Sequence, residues 1–198
     1  MRNIGIFLYN EVEILDFAGP FEVFSTASRL ALRMNPVAET PFRVFTIAEQ
    51  AAIVKARGGL LVAPTSDFNT HPALDLLIVP GGVVTAELEK SAVIDWIARC
   101  AEEAEITASV CTGAFLLAKA GLLTGKQATT HWEDIPDLRQ IFPDVTVREQ
   151  ARWVDEGSIV TSAGISAGID MSLHLVARLL GEPLAIATAR QMEFDWTP

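Results

Sequence analysis

Short apolar runs rich in β-branched residues recur along the chain at Ile4–Leu8, Phe42–Ile47, Leu74–Val79, Ile106–Val110 and Ser158–Ser162. Each has strand length, and their apolar or β-branched character predicts strands buried on both faces. Between several of them lie segments of helical period. From Ser91 to Ala104 the residues Val93, Trp96, Ile97, Cys100 and Ala104 form one apolar stripe, with Ser91 in position to cap the helix. Near the end of the chain Ile169, Leu173, Val176, Ala177 and Leu180 form a second stripe, while Asp170, His174 and Arg178 line up at four-residue spacing on the other side. Buried strands alternating with amphipathic helices predict an α/β fold, a three-layer α/β/α sandwich on a mostly parallel sheet. The stretch from Ala52 to Thr65, broken by Gly58 and Gly59, predicts short extended pieces and a hairpin off that sheet. No repeat or linker interrupts the pattern, so one domain is expected over residues 1–198.

Composition narrows the function classes. A chain of 198 residues, half of them apolar, can bury a full core. No apolar run approaches the roughly 18 residues that a membrane span needs, so a membrane-embedded protein is not expected. The chain has 15 basic and 25 acidic side chains, a formal charge of −10, which opposes binding to nucleic acid or to an anionic membrane surface. Met1-Arg2-Asn3 leads straight into the first strand without the pattern of a signal peptide, and a cytoplasmic location is expected. Two cysteines, Cys100 and Cys111, make no disulfide framework, and no CxxC or HxxxH spacing points to a metal.

In an open α/β sheet, ligands collect beyond the carboxyl ends of the strands. Cys111 follows a strand directly and precedes the helix-like run Ala114–Ala118, so its thiol is expected on a sharp strand-to-helix turn, with a pKa lowered by the helix amino terminus. Cys100, on the apolar stripe, reads as core. Pro80-Gly81-Gly82 ends another strand, where backbone N–H groups together with that of Thr112 could cradle a developing anion. Asp16 lies in the apolar stretch Ile14-Leu15-Asp16-Phe17, which suits a proton-transfer group and equally a helix N-cap. Glu11 and Glu13 read as solvated. His131 ends a short strand-like segment within reach of the same cleft, whereas His174 reads as part of a polar helix face and His71 as a loop residue.

Taken together, Leu15–Pro20, Ile78–Gly82, Ser109–Ala114, Gly125–Trp132 and Ser162–Asp170 resemble the ThiJ/PfpI (DJ-1) superfamily, a class I glutamine amidotransferase-like group. The set looks most similar to isonitrile hydratases and to the sensor domains of AraC-type regulators. This resemblance implies a flavodoxin-like sandwich, commonly a homodimer, with Cys111 as nucleophile and Asp16 as its acid partner. It implies oxyanion or substrate contacts at Gly81, Gly82, Thr112, Ile165 and His131, and no cofactor. The implied activity is addition of water to an isocyanide through a cysteine thioimidate. The alternatives are a non-catalytic small-molecule sensor and a glyoxalase or stress-response protein. Family proteases carry histidine directly after the cysteine; here that residue is Thr112, which does not support a peptidase triad.

Overall fold

A computed structural model of the chain describes residues 1–197; Pro198, the end of the expected domain, lies outside them. The strands are β1 (Arg2–Leu8), β2 (Phe42–Ala48), β3 (Val54–Lys55), β4 (Leu61–Val62), β5 (Ser66–Asp67), β6 (Leu76–Val79), β7 (Ile106–Val110), β8 (Gln127–Ala128), β9 (Thr146–Val147), β10 (Trp153–Asp155) and β11 (Ile159–Ser162). The helices are α1 (Ile14–Met34), α2 (Thr85–Leu88), α3 (Ser91–Glu103), α4 (Gly113–Lys119), α5 (Ile135–Ile141), α6 (Ala167–Leu180) and α7 (Glu182–Gln191).

Seven strands form the central sheet in the order β10-β11-β7-β6-β1-β2-β5, parallel throughout except for the β10–β11 pair. The chain crosses from β1 to β2 in one direction through α1, and from β6 to β7 in the other through α3. Right-handed crossovers therefore put these two helices on opposite faces. Helices α6 and α7 pack with α1, and α2 and α4 pack with α3. Both faces of the sheet are thus covered, which is why β6 and β7 are buried at every position. On the α3 side Trp96 and Phe7 meet with ring centroids 5.4 Å apart, and Phe68 stacks on Trp96 at 4.1 Å.

The α/β sandwich is the one expected, with shifts at element ends. Strand β6 starts at Leu76 rather than Leu74 because Asp75 is drawn to Asn3: its carboxylate accepts the Asn3 N–H at 2.7 Å and its own N–H donates to the Asn3 carbonyl at 2.9 Å. Ser91 does not cap α3; it is the first helical residue, Lys90 occupies the cap position, and no side chain bonds there. Strands β3 and β4 form the expected hairpin outside the main sheet, closed by Arg57–Gly59. The polar face of α6 clamps the edge strand β10: His174 Nε2 and Arg178 Nη1 both lie 2.7 Å from Asp155, and Arg152 binds Asp170. Among the described residues no helix is long and apolar enough to cross a membrane.

At Gly113, where α4 begins, an added Cβ would lie 2.0 Å from the Val79 carbonyl oxygen. That contact is with backbone at the end of β6, which cannot swing aside. Gly113→Ala is therefore expected to destabilise the fold by at least about 2 kcal/mol, measured as a lower urea midpoint, and an unchanged midpoint would contradict this close packing.

Candidate active site

The connections leave β1 and β6, neighbours in the sheet, in opposite directions, which opens a crevice at their carboxyl ends beside that of β7. Cys111, Thr112, Gly82, His131 and Ile165 all line one cavity of about 230 Å³ in this region. Asp16 and Gly81 lie in the layer beneath, Asp16 with no exposed surface. Another cavity, also about 230 Å³, opens at the ends of β1 and β2 beside Tyr9, Glu87 and Lys90, and it contains no cysteine.

Cys111 occupies a left-handed backbone conformation, φ 56°, uncommon outside glycine, and this turns the chain sharply from β7 into α4. The turn is held from two sides: the Cys111 N–H donates to the Ser162 carbonyl at 3.2 Å, and the Thr130 hydroxyl donates to the Cys111 carbonyl at 2.9 Å. The expected lowering of the thiol pKa is not found. Burial, then the Asp16 charge, push the thiol up to about 12, and the hydrogen bond from the Thr112 N–H offsets only part of this. Helix α4 has only seven residues, and its amino terminus does not outweigh a buried carboxylate beside the sulfur.

Asp16 is no N-cap either. It is the third residue of α1, and the cap is Glu13, whose carboxylate accepts the Ile14 N–H at 3.2 Å. Burial raises the Asp16 carboxyl to about 7, and the nearby Glu13 charge adds to this; the Gly81 N–H, the Cys111 thiol and the Ile165 N–H act the other way. The Gly81 N–H reaches Oδ2 at 3.0 Å, while no group meets the full geometry of a hydrogen bond at the buried Oδ1. Ile165 has φ 52°, a strained conformation for a β-branched residue. Above about pH 7 the resting pair is thus a carboxylate facing a protonated thiol; below it both groups hold their protons.

The glycine loop is built tightly against this pair. An added Cβ on Gly81 would lie 2.6 Å from the Thr112 nitrogen, and one on Gly82, at φ 134°, would lie 2.3 Å from the Glu11 carbonyl oxygen. The Gly82 N–H donates to the Thr112 hydroxyl at 2.9 Å, and that hydroxyl lies 2.9 Å from the Gly82 carbonyl, to which it donates. The N–H groups of Gly81 and Gly82 therefore bind the site's own side chains, leaving the Thr112 N–H as the backbone donor next to the sulfur.

Four residues that sequence reasoning missed also line the cavity: Glu13, Arg57, Glu133 and Asp134. Glu13, read as solvated, is half-buried and pairs with Arg57 at 3.3 Å. Arg57 arrives from the hairpin, its N–H fixed to the Val12 carbonyl at 3.0 Å. The His131 ring packs against Gly164, where a Cβ would lie 2.1 Å from Cδ2, and its Nδ1 is 3.3 Å from Asp134 and 3.8 Å from Glu133. Proximity in sequence to Asp16 and to His131 was the available signal for three of the four; Arg57 had none. Among the described residues no group of three or more His, Cys, Asp or Glu side chains is arranged to hold a metal.

Two outcomes follow from these surroundings. Burial raises both thiols, to about 12 for Cys111 and about 11 for Cys100, so access decides between them: iodoacetamide should label Cys111, which lines the cavity, ahead of Cys100, buried on the apolar stripe of α3; peptide mapping that finds Cys100 labelled first would reverse the assignment. Asp16 binds its proton more tightly folded, near 7, than unfolded, near 3.8, so its contribution to stability declines as pH rises from about 4 to 7 and stays low above that. Asp16→Asn removes the penalty. Its gain in melting temperature over the parent protein should be larger at pH 8 than at pH 4, and a gain independent of pH would show that the carboxyl is not perturbed.

The DJ-1/PfpI family profile matches residues 2–178. The chain is 34% identical over 196 residues to the isonitrile hydratase of Pseudomonas putida, an alignment covering 98% of this chain and 79% of that protein. It is 28% identical over 194 residues to the HTH-type transcriptional regulator GbdR of Pseudomonas aeruginosa, covering 98% of this chain and about half, 51%, of the regulator. A crystal structure of a ThiJ/PfpI family protein from Pseudomonas syringae superimposes with a TM-score of 0.85 at 28% identity, over 100% of this chain and 76% of that one. With its elbow cysteine on a flavodoxin-like sheet, this chain belongs to the DJ-1/PfpI family.

Proposed function

We propose that the protein is a hydratase of the isonitrile type, converting R–N≡C and water into an N-substituted formamide. The observation that carries this reading is the buried Cys111–Asp16 pair at the cavity floor, found in a chain that aligns along nearly its whole length with a named isonitrile hydratase. The isonitrile carbon must gain both a nucleophile and a proton. Asp16 accepts the thiol proton as sulfur attacks that carbon, then delivers it to the same carbon; the S–H bond breaks, S–C and C–H bonds form, and the product is the thioimidate R–N=CH–S–Cys111. Water, activated by Asp16, then adds to the imidate carbon, and loss of the thiol releases R–NH–CHO. The Thr112 N–H is the backbone donor available to negative charge developing beside the sulfur. The scheme needs no metal or organic cofactor.

The GbdR alignment, which spans 98% of this chain, favours one second reading: a small-molecule sensor in which the same cavity binds without turnover. Incubation of the purified protein with cyclohexyl isocyanide, with formamide followed by mass spectrometry, separates the two. Turnover is expected to vanish in Cys111→Ala and to fall by about a hundredfold or more in Asp16→Asn. Because the base must be ionised, kcat/KM should rise through a pH of about 7 in the parent protein and lose that limb in Asp16→Asn. Turnover that survives Cys111→Ala would exclude the covalent route, and no turnover in the parent protein would favour the sensor.

A further inference from the structure

The charges around the cavity do not balance. Arg57 is the one permanently cationic side chain among the described residues that line it, and it is paired to Glu13 at 3.3 Å. Glu133 and Asp134 also line the cavity, and among the described residues their one ion-pair partner is His131, at 3.8 and 3.3 Å. Asp16 adds a further acid beneath the floor. Two rim carboxylates are therefore left with at most one titratable imidazole between them, on a molecule whose overall formal charge is −10. A concave site lined by one sign of charge concentrates the field and changes the local concentration of charged ligands.

We infer that this cavity admits electrophiles that are uncharged or cationic and turns away those bearing a carboxylate, sulfonate or phosphate. The inference rests on Cys111 as the reacting thiol and assigns the charge class of substrate for the proposed hydratase: neutral alkyl or aryl isocyanides, or isocyanides carrying an ammonium group. Anionic isocyanides of equal size are poor substrates, because their charge must approach Glu133 and Asp134 to bring the reactive carbon to the sulfur.

Methanethiosulfonates test this without isocyanide chemistry. The Cys111 sulfur attacks the sulfenyl sulfur, an S–S bond forms, the S–SO₂ bond breaks, methanesulfinate leaves and the thiol proton passes to solvent. In a Cys100→Ala background, which leaves one thiol, the rates of 2-ammonioethyl, 2-sulfonatoethyl and methyl methanethiosulfonate are each divided by the rate of the same reagent with 2-mercaptoethanol. At low salt the normalised cationic-to-anionic ratio should be about tenfold or more. It should shrink towards one near 1 M salt and drop in Glu133→Gln, an exposed position where folding is not at risk. A ratio of one or less overturns the inference, as does a ratio that ignores both salt and Glu133→Gln, which marks steric selection. A Cys111 that reacts with none of the reagents overturns it too. Isocyanide turnover, measured separately, keeps the two readings apart: charge selection without turnover removes the hydratase and retains the inference, whereas turnover with no charge selection does the reverse.

Discussion

Asp16 is sealed beside the Cys111 thiol, and two ionisable groups this close in a poorly polarisable interior cannot both be charged. The surrounding structure serves to keep them together. Glu13 caps α1 so that Asp16 enters the interior in its first turn; the Gly81 N–H, which no larger residue could bring as near, fixes Oδ2; and two residues outside glycine, Cys111 and Ile165, adopt left-handed conformations that aim sulfur and backbone at the carboxylate. Holding Asp16 here costs stability on the order of a few kcal/mol above pH 7, because the unfolded carboxyl ionises freely. Such a cost is characteristic of sites whose geometry serves chemistry rather than folding.

The sheet makes the arrangement possible. With β1 flanked by β2 on one side and β6 on the other, the chain leaves the neighbouring ends of β1 and β6 for opposite faces, so no helix closes over the gap. The loop after β1 then runs beside the glycine loop after β6: the Glu13 N–H donates to the Gly81 carbonyl at 2.9 Å and the Val83 N–H to that of Glu11 at 3.1 Å. The hairpin of β3 and β4 is tied into the same loop through the Glu11 N–H and the Lys55 carbonyl, 2.8 Å apart. Three chain segments remote in sequence thus meet as backbone, before any side chain is considered, and the acid inherits its position from that meeting, while the sulfur is placed by the turn held at Ser162 and Thr130.

What could be read in the sequence was whatever depends on neighbours along the chain. The buried strands are legible because both their faces are apolar, and the elbow at Cys111 because a strand abuts a helix there. Most differences arise where a long-range contact decides. The adjoining helix terminus predicts an acidic Cys111 thiol, yet its pKa is set by burial and by Asp16, which belongs to α1, far off in the sequence. Glu13 looked solvated because nothing in its own segment announces Arg57, which the hairpin delivers. Ser91 looked like a cap by residue type, but the chain turns into the helix one residue earlier. Glu133 and Asp134 stand in plain view beside His131, with no local pattern to say that they line the same cavity as the cysteine.

A thiol raised to about 12 looks at first like an argument against catalysis, since the thiolate is the attacking species. For the proposed reaction it is the more suitable resting state. Acyl transfer or peroxide reduction needs the sulfur's electrons, and the sulfur proton must leave for another atom; a preformed thiolate serves those reactions well. An isocyanide carbon must acquire a sulfur bond and a hydrogen together, so a thiol that still holds its proton, facing a carboxylate with a pKa near 7, stores both components at the place where they are needed. Asp16 then has to move one proton over a short path, and its affinity for that proton is close to neutral pH, where it can both accept and release it. Burial, which makes the pair costly in folding, is the same factor that keeps the proton from escaping to solvent between those two steps.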